Sequence, residues 1–242
     1  LASPFDNEAV DLLDNLGVVA FKFASPEIFD YTLLKYAAAR NKTMILSTGM
    51  CSIADIKTGL DIIEQQRNHN VILLHCVSAY PAEPKDVNLR MMDHIKSSFR
   101  YPVGFSDHAM GILTSVAAVC RGASVIEKHF TLSRDLKGPD HSCALEPDEL
   151  AQMVSDIRFV EQTLGSLTKK HVEGVENPQL HRKSLAAKVD ISKGEKITED
   201  KIMCLRTADG IDSKNLRKVL GRNLTRNIKK FEVLTDATIA SR

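Results

Sequence analysis

The chain has 242 residues, of which 43% are hydrophobic and 26% charged, and its formal net charge is +1. This composition is typical of a globular protein with one large or two unequal domains. It predicts neither nucleic acid nor a membrane as partner, because no basic excess and no apolar run of about 20 residues is present. No signal-like segment is present, which favours a cytoplasmic protein. The five cysteines have no CxxC spacing, which favours buried free thiols in a reducing compartment.

Short apolar strands alternate with amphipathic helices through the first two thirds of the chain. The pattern predicts strands at 18–23, 43–46, 71–76, 103–105 and 124–130, and helices after Ser3-Pro4 and at 31–40, 52–66, 87–97, 111–121 and 147–164. Such alternation is typical of a parallel sheet covered by helices, either an open doubly wound sheet or a (β/α)8 barrel. Under the barrel interpretation, we expect the first strands to lie upstream of Leu1.

Polar residues cluster where the predicted strands end. The carboxyl ends of parallel strands carry the functional residues in both architectures. His108 and His129 follow two successive strands, so they should emerge side by side, as two ligands of one metal would. No GxGxxG follows any strand, which removes the usual support for a dinucleotide.

The sequence changes character after residue 164. We interpret residues 1–164 as one α/β domain and the polar stretch 165–182, with its Asn177-Pro178 pair, as a linker. Residues 183–242 predict a small separate module with strands at 184–189 and 202–206. Because about 60 residues is near the lower limit for an independent core, we expect this module to lean on a partner surface.

Six segments, taken in order, resemble the sialic acid synthase family. They are Phe21-Lys-Phe-Ala-Ser, Ile45-Leu-Ser-Thr-Gly-Met, Leu74-His-Cys-Val-Ser-Ala-Tyr-Pro, Val103-Gly-Phe-Ser-Asp-His, Ile126-Glu-Lys-His-Phe-Thr and Gly138-Pro-Asp-His. Members of that family condense phosphoenolpyruvate with an N-acylated amino sugar to give a nonulosonic acid. The module from Lys183 resembles the family's antifreeze-like (SAF) domain. The resemblance thus implies a TIM barrel lacking its first strands, followed by a small α+β SAF domain.

The resemblance also implies a metal site and catalytic residues. A divalent ion, usually Mn²⁺ with Mg²⁺ or Co²⁺ as alternatives, would lie between His108 and His129. Two protein nitrogens leave the remaining positions to water and substrate oxygens, which suits a Lewis acid. By the same resemblance, Tyr80 and Asp140 bind the amino sugar. Glu127 lies two residues before His129 and faces the same way in a strand, so it could move a proton or orient that histidine.

Several residues match the family's substrate contacts. Phosphoenolpyruvate needs cations and hydroxyl or amide donors, and the matching residues are Ser3, Lys22, Ser25, Ser47, Ser78 and Ser106. Ser78 departs from the asparagine that the family carries there. Arg206 matches the arginine that reaches the sugar in the other subunit's barrel, which implies a domain-swapped homodimer, although Thr207 follows it in place of proline.

The resulting hypothesis is a synthase that joins phosphoenolpyruvate to N-acetylmannosamine, its 6-phosphate or a bacillosamine-derived analogue. Without the first strands, the 242 residues alone should be inactive or nearly so, because an incomplete barrel leaves open sheet edges. Two alternatives stay open. One is another phosphoenolpyruvate-using sugar-acid synthase, and the other is a non-catalytic carbohydrate-binding or structural protein.

Overall fold

The computed structural model describes residues 1–168, 182–207 and 209–240. They divide into two compact units, Leu1–Gly165 and Ser166–Arg242. The first unit alternates helices and strands in the order α1 (Asn7–Asn15), β1 (Ala20–Phe23), α2 (Tyr31–Ala38), β2 (Thr43–Ser47), α3 (Ile53–Gln65), β3 (Val71–Cys76), α4 (Pro84–Val87), α5 (Arg90–Ser98), β4 (Val103–Asp107), α6 (Leu113–Cys120), β5 (Ile126–Lys128) and α7 (Pro147–Leu164). Most of the predicted linker, residues 169–181, lies outside the described residues.

All five strands of the first unit are parallel, and their order in the sheet is the order in the chain, β1 to β5. Single parallel bridges continue the pairing at both edges, Ala2 to Phe21 and Phe130 to Leu145. A doubly wound sheet is defined by a point at which the strand order reverses. No such reversal occurs among the described strands. The parallel α/β prediction is confirmed, and closure into an eight-stranded barrel stays a prediction.

Side-chain alternation along the strands separates the apolar core from the polar face. Phe21, Phe23 and Phe105 are completely buried and belong to one cluster with residues of α2, α3 and α5. Neighbouring strand residues point the other way, so Lys22 faces the opposite side from Phe21 and Phe23. This arrangement places polar side chains such as Lys22 on the face of the sheet opposite the apolar core.

Some predicted bounds of helices and strands, and the predicted burial of two cysteines, are wrong. The helix predicted at 87–97 begins only at Arg90, as α5, because Asn88 adopts a left-handed conformation with φ 45° that ends the short helix α4. The strand predicted at 124–130 is only Ile126–Lys128. All five cysteines are free, as expected, but Cys120 and Cys204 are exposed and not buried.

The second unit contains an antiparallel pair, β6 (Lys183–Ala187) and β7 (Ile202–Arg206), and the short helix α8 (Leu216–Val219). Isolated antiparallel bridges complete the pairing. Its apolar side chains, including Leu185, Ile197 and Leu234, form a core of their own. None of the described helices in either unit has the length and apolarity needed to cross a membrane.

Candidate active site

A cavity of about 150 Å³ lies at the carboxyl edge of the sheet, between the ends of β4 and β5. Parallel pairing sets Ser106 opposite Glu127, and in both segments a histidine follows two positions later, directly after the strand ends. The lining residues are Ser106, His108, Glu127, Lys128 and His129. Four of the predicted site residues are therefore brought together by the register of these two strands.

The two histidine rings lie next to each other at the cavity, with centroids 5.3 Å apart and ring planes inclined by 55°. Nδ1 of His108 lies 2.7 Å from the carbonyl oxygen of Val77. An N–H donated to that carbonyl leaves Nε2 with a lone pair for a ligand. Burial lowers the pKa of His108 below its ordinary value, which favours the neutral form that binds metals.

This geometry suits a divalent ion held by two imidazoles. Among the described residues, no group of three or more His, Cys, Asp and Glu side chains converges on one point. The other coordination positions of an ion between His108 and His129 would therefore fall to water or substrate oxygens. Imidazole is a common ligand of first-row transition metals, so the residues present fit the implied cation.

Tyr80 and Asp140 lie beside the histidines. The Tyr80 ring is 4.1 Å from the His108 ring and 5.6 Å from the His129 ring, measured between centroids. Partial burial raises the pKa of Tyr80, so its hydroxyl keeps its proton and can donate. Oδ2 of Asp140 is 3.8 Å from Nδ1 of His129. Both predicted sugar-binding residues thus border the histidine pair.

Lys22 joins the predicted anion-binding residues to Glu127. Its ammonium group donates to the Ser47 hydroxyl at 2.8 Å and to the Phe23 carbonyl at 2.9 Å. It also lies 3.5 Å from a carboxylate oxygen of Glu127, whose other oxygen accepts a 2.7 Å hydrogen bond from Ser106. The Lys22 side chain is 10% exposed, and a buried cation of this kind is suited to an anionic ligand.

Ser25 and Ser78 converge on Gly49. The Gly49 N–H donates to the Ser25 hydroxyl at 2.7 Å. A Cβ atom at Gly49 would lie 2.5 Å from the Ser78 hydroxyl and 3.1 Å from that of Ser25. Only glycine allows the two hydroxyls to approach the turn after β2 this closely.

Two further predicted residues are Ser3, which precedes the first helix, and Arg206, which belongs to the second unit. Ser3 is exposed and follows Ala2, whose carbonyl accepts the N–H of Lys22 at 2.9 Å. This pairing sets Ser3 next to the end of β1. Arg206 is the last residue of β7, in the second unit, and its role at the sugar stays a prediction.

The sequence interpretation missed an ion pair behind the histidines. Lys128 lies 3.1 Å from Asp107, and both side chains are almost completely buried. Both residues stand inside the motifs that carry the family resemblance, immediately before His129 and His108. Strand alternation directs them away from the site, so periodicity alone gave no reason to select them.

The fold and the site define a class: a parallel α/β unit whose polar site lies at the carboxyl edge of its strands, followed by a small β-rich unit. Family models agree with this division, since the NeuB family matches residues 1–169 and the SAF domain matches residues 182–240. The chain belongs to the NeuB family.

Curated relatives and solved structures carry related names. N,N'-diacetyllegionaminic acid synthase of Campylobacter jejuni is 42% identical over 98% of this chain and 72% of its own length. Human N-acetylneuraminate-9-phosphate synthase is 42% identical over 82% of this chain and 56% of its own length. The crystal structure of N-acetylneuraminic acid synthetase from Leptospira borgpetersenii, in complex with citrate, is 38% identical, with a TM-score of 0.67 over 71% of this chain and 60% of that one.

Proposed function

We propose that the polar residues at the carboxyl edge of the sheet form the substrate-binding face of an enzyme. This enzyme condenses phosphoenolpyruvate with an N-acyl amino sugar, giving a nonulosonic acid and phosphate. The observation that carries the proposal is the convergence of Lys22, Ser47 and Glu127 with the histidine pair at one edge of the sheet. Family membership and the synthase names of the relatives support it.

Lys22 and the serine hydroxyls provide the charge and the donors that an anionic substrate needs. The ammonium group would bind the carboxylate or the phosphate of phosphoenolpyruvate, and Ser47 and Ser25 would hold its oxygens. In the reaction, C3 of phosphoenolpyruvate attacks the carbonyl carbon of the sugar, water adds to C2, and phosphate leaves with cleavage of the C–O bond.

Glu127 would accept the proton that the attacking water gives up. One of its oxygens holds Ser106 and the other faces Lys22, so the carboxylate lies between the anion-binding group and the histidines. A divalent cation, Mn²⁺ in the first instance, would be held by His108 and His129 and would supply Lewis-acid polarisation of the sugar carbonyl. Tyr80 and Asp140 would orient the sugar hydroxyls.

Further parts of the proposal concern assembly. Arg206 would contact the sugar bound in a second copy of the chain, which makes the active form a domain-swapped homodimer, and the enzyme would act in the cytoplasm. The match of the second unit to the SAF domain supports the proposed role of Arg206. The same match disfavours other phosphoenolpyruvate-using sugar-acid synthases, which resemble this chain in fold at 16% identity.

The test is phosphate release from phosphoenolpyruvate by the full-length gene product. The reaction is run with N-acetylmannosamine, its 6-phosphate or a bacillosamine-derived analogue, each with Mn²⁺ and with a chelator. His108→Ala and His129→Ala should abolish release, whereas His94→Ala, at an exposed position on α5, should leave it unchanged. Absence of release with every sugar would refute the proposed reaction.

A further inference from the structure

Asp107 and Lys128 lie on the back of the site, on the side of the sheet that faces α6. Each stands directly before one of the two histidines, and they are register partners across β4 and β5. Because side chains alternate along a strand, the pair points away from Ser106, His108, Glu127 and His129. The Asp107 side chain is 0% exposed and the Lys128 side chain 3%.

The hydrogen bonds of this ion pair converge on Ala109, the residue after His108. The Ala109 N–H donates to Oδ1 of Asp107 at 2.9 Å, and the Lys128 ammonium donates to the Ala109 carbonyl. The turn that carries His108 is therefore held through both the N–H and the carbonyl group of Ala109. One of these bonds comes from Lys128, the last residue of β5, which His129 follows directly.

Asp107 also fastens this turn to α6. Its Oδ2 accepts hydrogen bonds from Thr114 at 2.6 Å and Ser115 at 2.7 Å, and lies 3.1 Å from the Lys128 ammonium. Every carboxylate oxygen is thus satisfied. Buried ion pairs offer little net stability because both charges lose their hydration, and a role in fixing register is the best-attested reason for keeping one.

We propose that the Asp107–Lys128 pair is a positioning device that sets the spacing of His108 and His129 for their divalent cation. The inference rests on the proposed function, since the cation belongs to it. Lys128 borders the cavity, but its ammonium group is engaged with Asp107 and the Ala109 carbonyl, so the pair acts through the backbone of residues 107–109 and 128–129.

The chain offers a closely matched control for Lys128. The Lys42 ammonium lies 2.9 Å from a carboxylate oxygen of Asp14 and donates to the Val18 carbonyl at 2.8 Å. It stands directly before β2, at the amino end of the sheet. Lys42→Met therefore removes the same kinds of contact as Lys128→Met, at the edge opposite the histidines.

The experiment measures Mn²⁺ affinity of the whole protein by titration, followed through the paramagnetic resonance signal of free Mn²⁺. Lys128→Met should weaken binding by about tenfold or more, the usual effect of losing a residue that orients a metal ligand. Lys42→Met should stay within about twofold of the unmodified protein, because distant sites act independently. Equal affinities for the unmodified protein and Lys128→Met would overturn the inference.

A metal-free crystal structure of Lys128→Met gives a second readout. The His108 and His129 ring centroids should move from their 5.3 Å separation. An unchanged separation overturns the positioning role whether or not Mn²⁺ binds, whereas failure of the unmodified protein to bind Mn²⁺ refutes only the proposed cation. If Lys128→Met does not fold, Asp107→Asn/Lys128→Met, which leaves no unpaired buried charge, is examined in the same way.

Discussion

Lys22 is the side chain on which the proposed anion site depends most directly. Replacing it by methionine should weaken phosphoenolpyruvate binding by about 10- to 100-fold, because hydrogen bonds to charged groups are worth about 1.5–3 kcal/mol. Stability should change by less than about 1 kcal/mol, since loss of the desolvation cost of a buried ammonium offsets loss of its contacts. Calorimetric titration and chemical unfolding measure the two effects.

Lys35→Met is the control for this substitution, because Lys35 is an exposed lysine of α2. It should alter neither phosphoenolpyruvate binding nor stability. A Lys22→Met protein that binds the ligand as tightly as the unmodified chain would show that the ammonium group does not hold the anion.

His75 should make the stability of the first unit depend on pH. Burial lowers its pKa below the ordinary value of 6.5, against the weaker opposite effect of its hydrogen bond to Val87. Since the unfolded chain then binds the proton more readily than the folded one, stability is full above the unfolded pKa. It falls as the pH drops through that value toward the lowered folded pKa.

Thermal unfolding at pH 7.5 and pH 5 measures this effect. His75→Gln keeps a donor for the Val87 carbonyl but cannot titrate, so it should reduce the loss of stability between the two pH values. An undiminished loss in the variant would assign the pH dependence to other groups, such as His108, whose pKa is also lowered by burial.

At the scale of single residues, the sequence predicted which polar side chains lie together, because polar residues stand at or just after the ends of the predicted strands. Lys22, His108 and Glu127 were selected in this way, and they lie at one edge of the sheet. Asp107 and Lys128 were not selected. Their pairing depends on the register of β4 against β5, which periodicity does not encode.

The approach of β4 to β5 depends on Gly104. A Cβ atom there would lie 2.5 Å from the Val125 carbonyl oxygen and 2.6 Å from a Leu74 methyl group. The first of these atoms is backbone, so Gly104→Ala must push the two strands apart. We expect the free energy of unfolding to fall by about 2–4 kcal/mol, as in strong overpacking, with parallel loss of Mn²⁺ binding.

Val103→Ala in the same strand provides the comparison. It removes methyl groups from a buried position without adding an atom near β5, and should cost about 1–2.5 kcal/mol while leaving Mn²⁺ binding in place. Chemical unfolding of both variants measures the free energy of unfolding, and titration measures their Mn²⁺ binding. Equal stability of Gly104→Ala and the unmodified chain would show that β4 and β5 can separate without cost.

Elements with strong local signals were predicted with the right bounds, and weak ones were not. Helix α7 begins at Pro147 as predicted, because Glu146 and Glu149 form a capping box around that proline. The break between α4 and α5 was missed. It depends on a left-handed conformation at Asn88, which asparagine tolerates but does not require.

At the scale of the whole molecule, the division into an α/β unit and a small unit followed from the sequence. The change in composition after residue 164 and the new apolar pattern from Lys183 marked it, and the boundary between the compact units falls after Gly165. Closure into an eight-stranded barrel could not be tested in this way. Strand count is a property of the sheet as a whole, and the described residues supply five parallel strands.

The two units should unfold as separate transitions, because their apolar clusters share no residue in the described part of the chain. Leu34 and Leu185 are both 0% exposed, one in each cluster. Truncation of a buried leucine to alanine costs about 2–5 kcal/mol. In scanning calorimetry, Leu185→Ala should lower only the transition of the small unit, by about 10 °C or more, since small domains have a small unfolding entropy.

Leu34→Ala should lower only the other transition, and by fewer degrees because the first unit is larger. A single transition that both variants shift together would mean that the small unit has no stability of its own. That result would support the expectation, drawn from its length of about 60 residues, that it depends on a partner surface. Two independent shifts would show that the core around Leu185 is sufficient to hold the small unit folded.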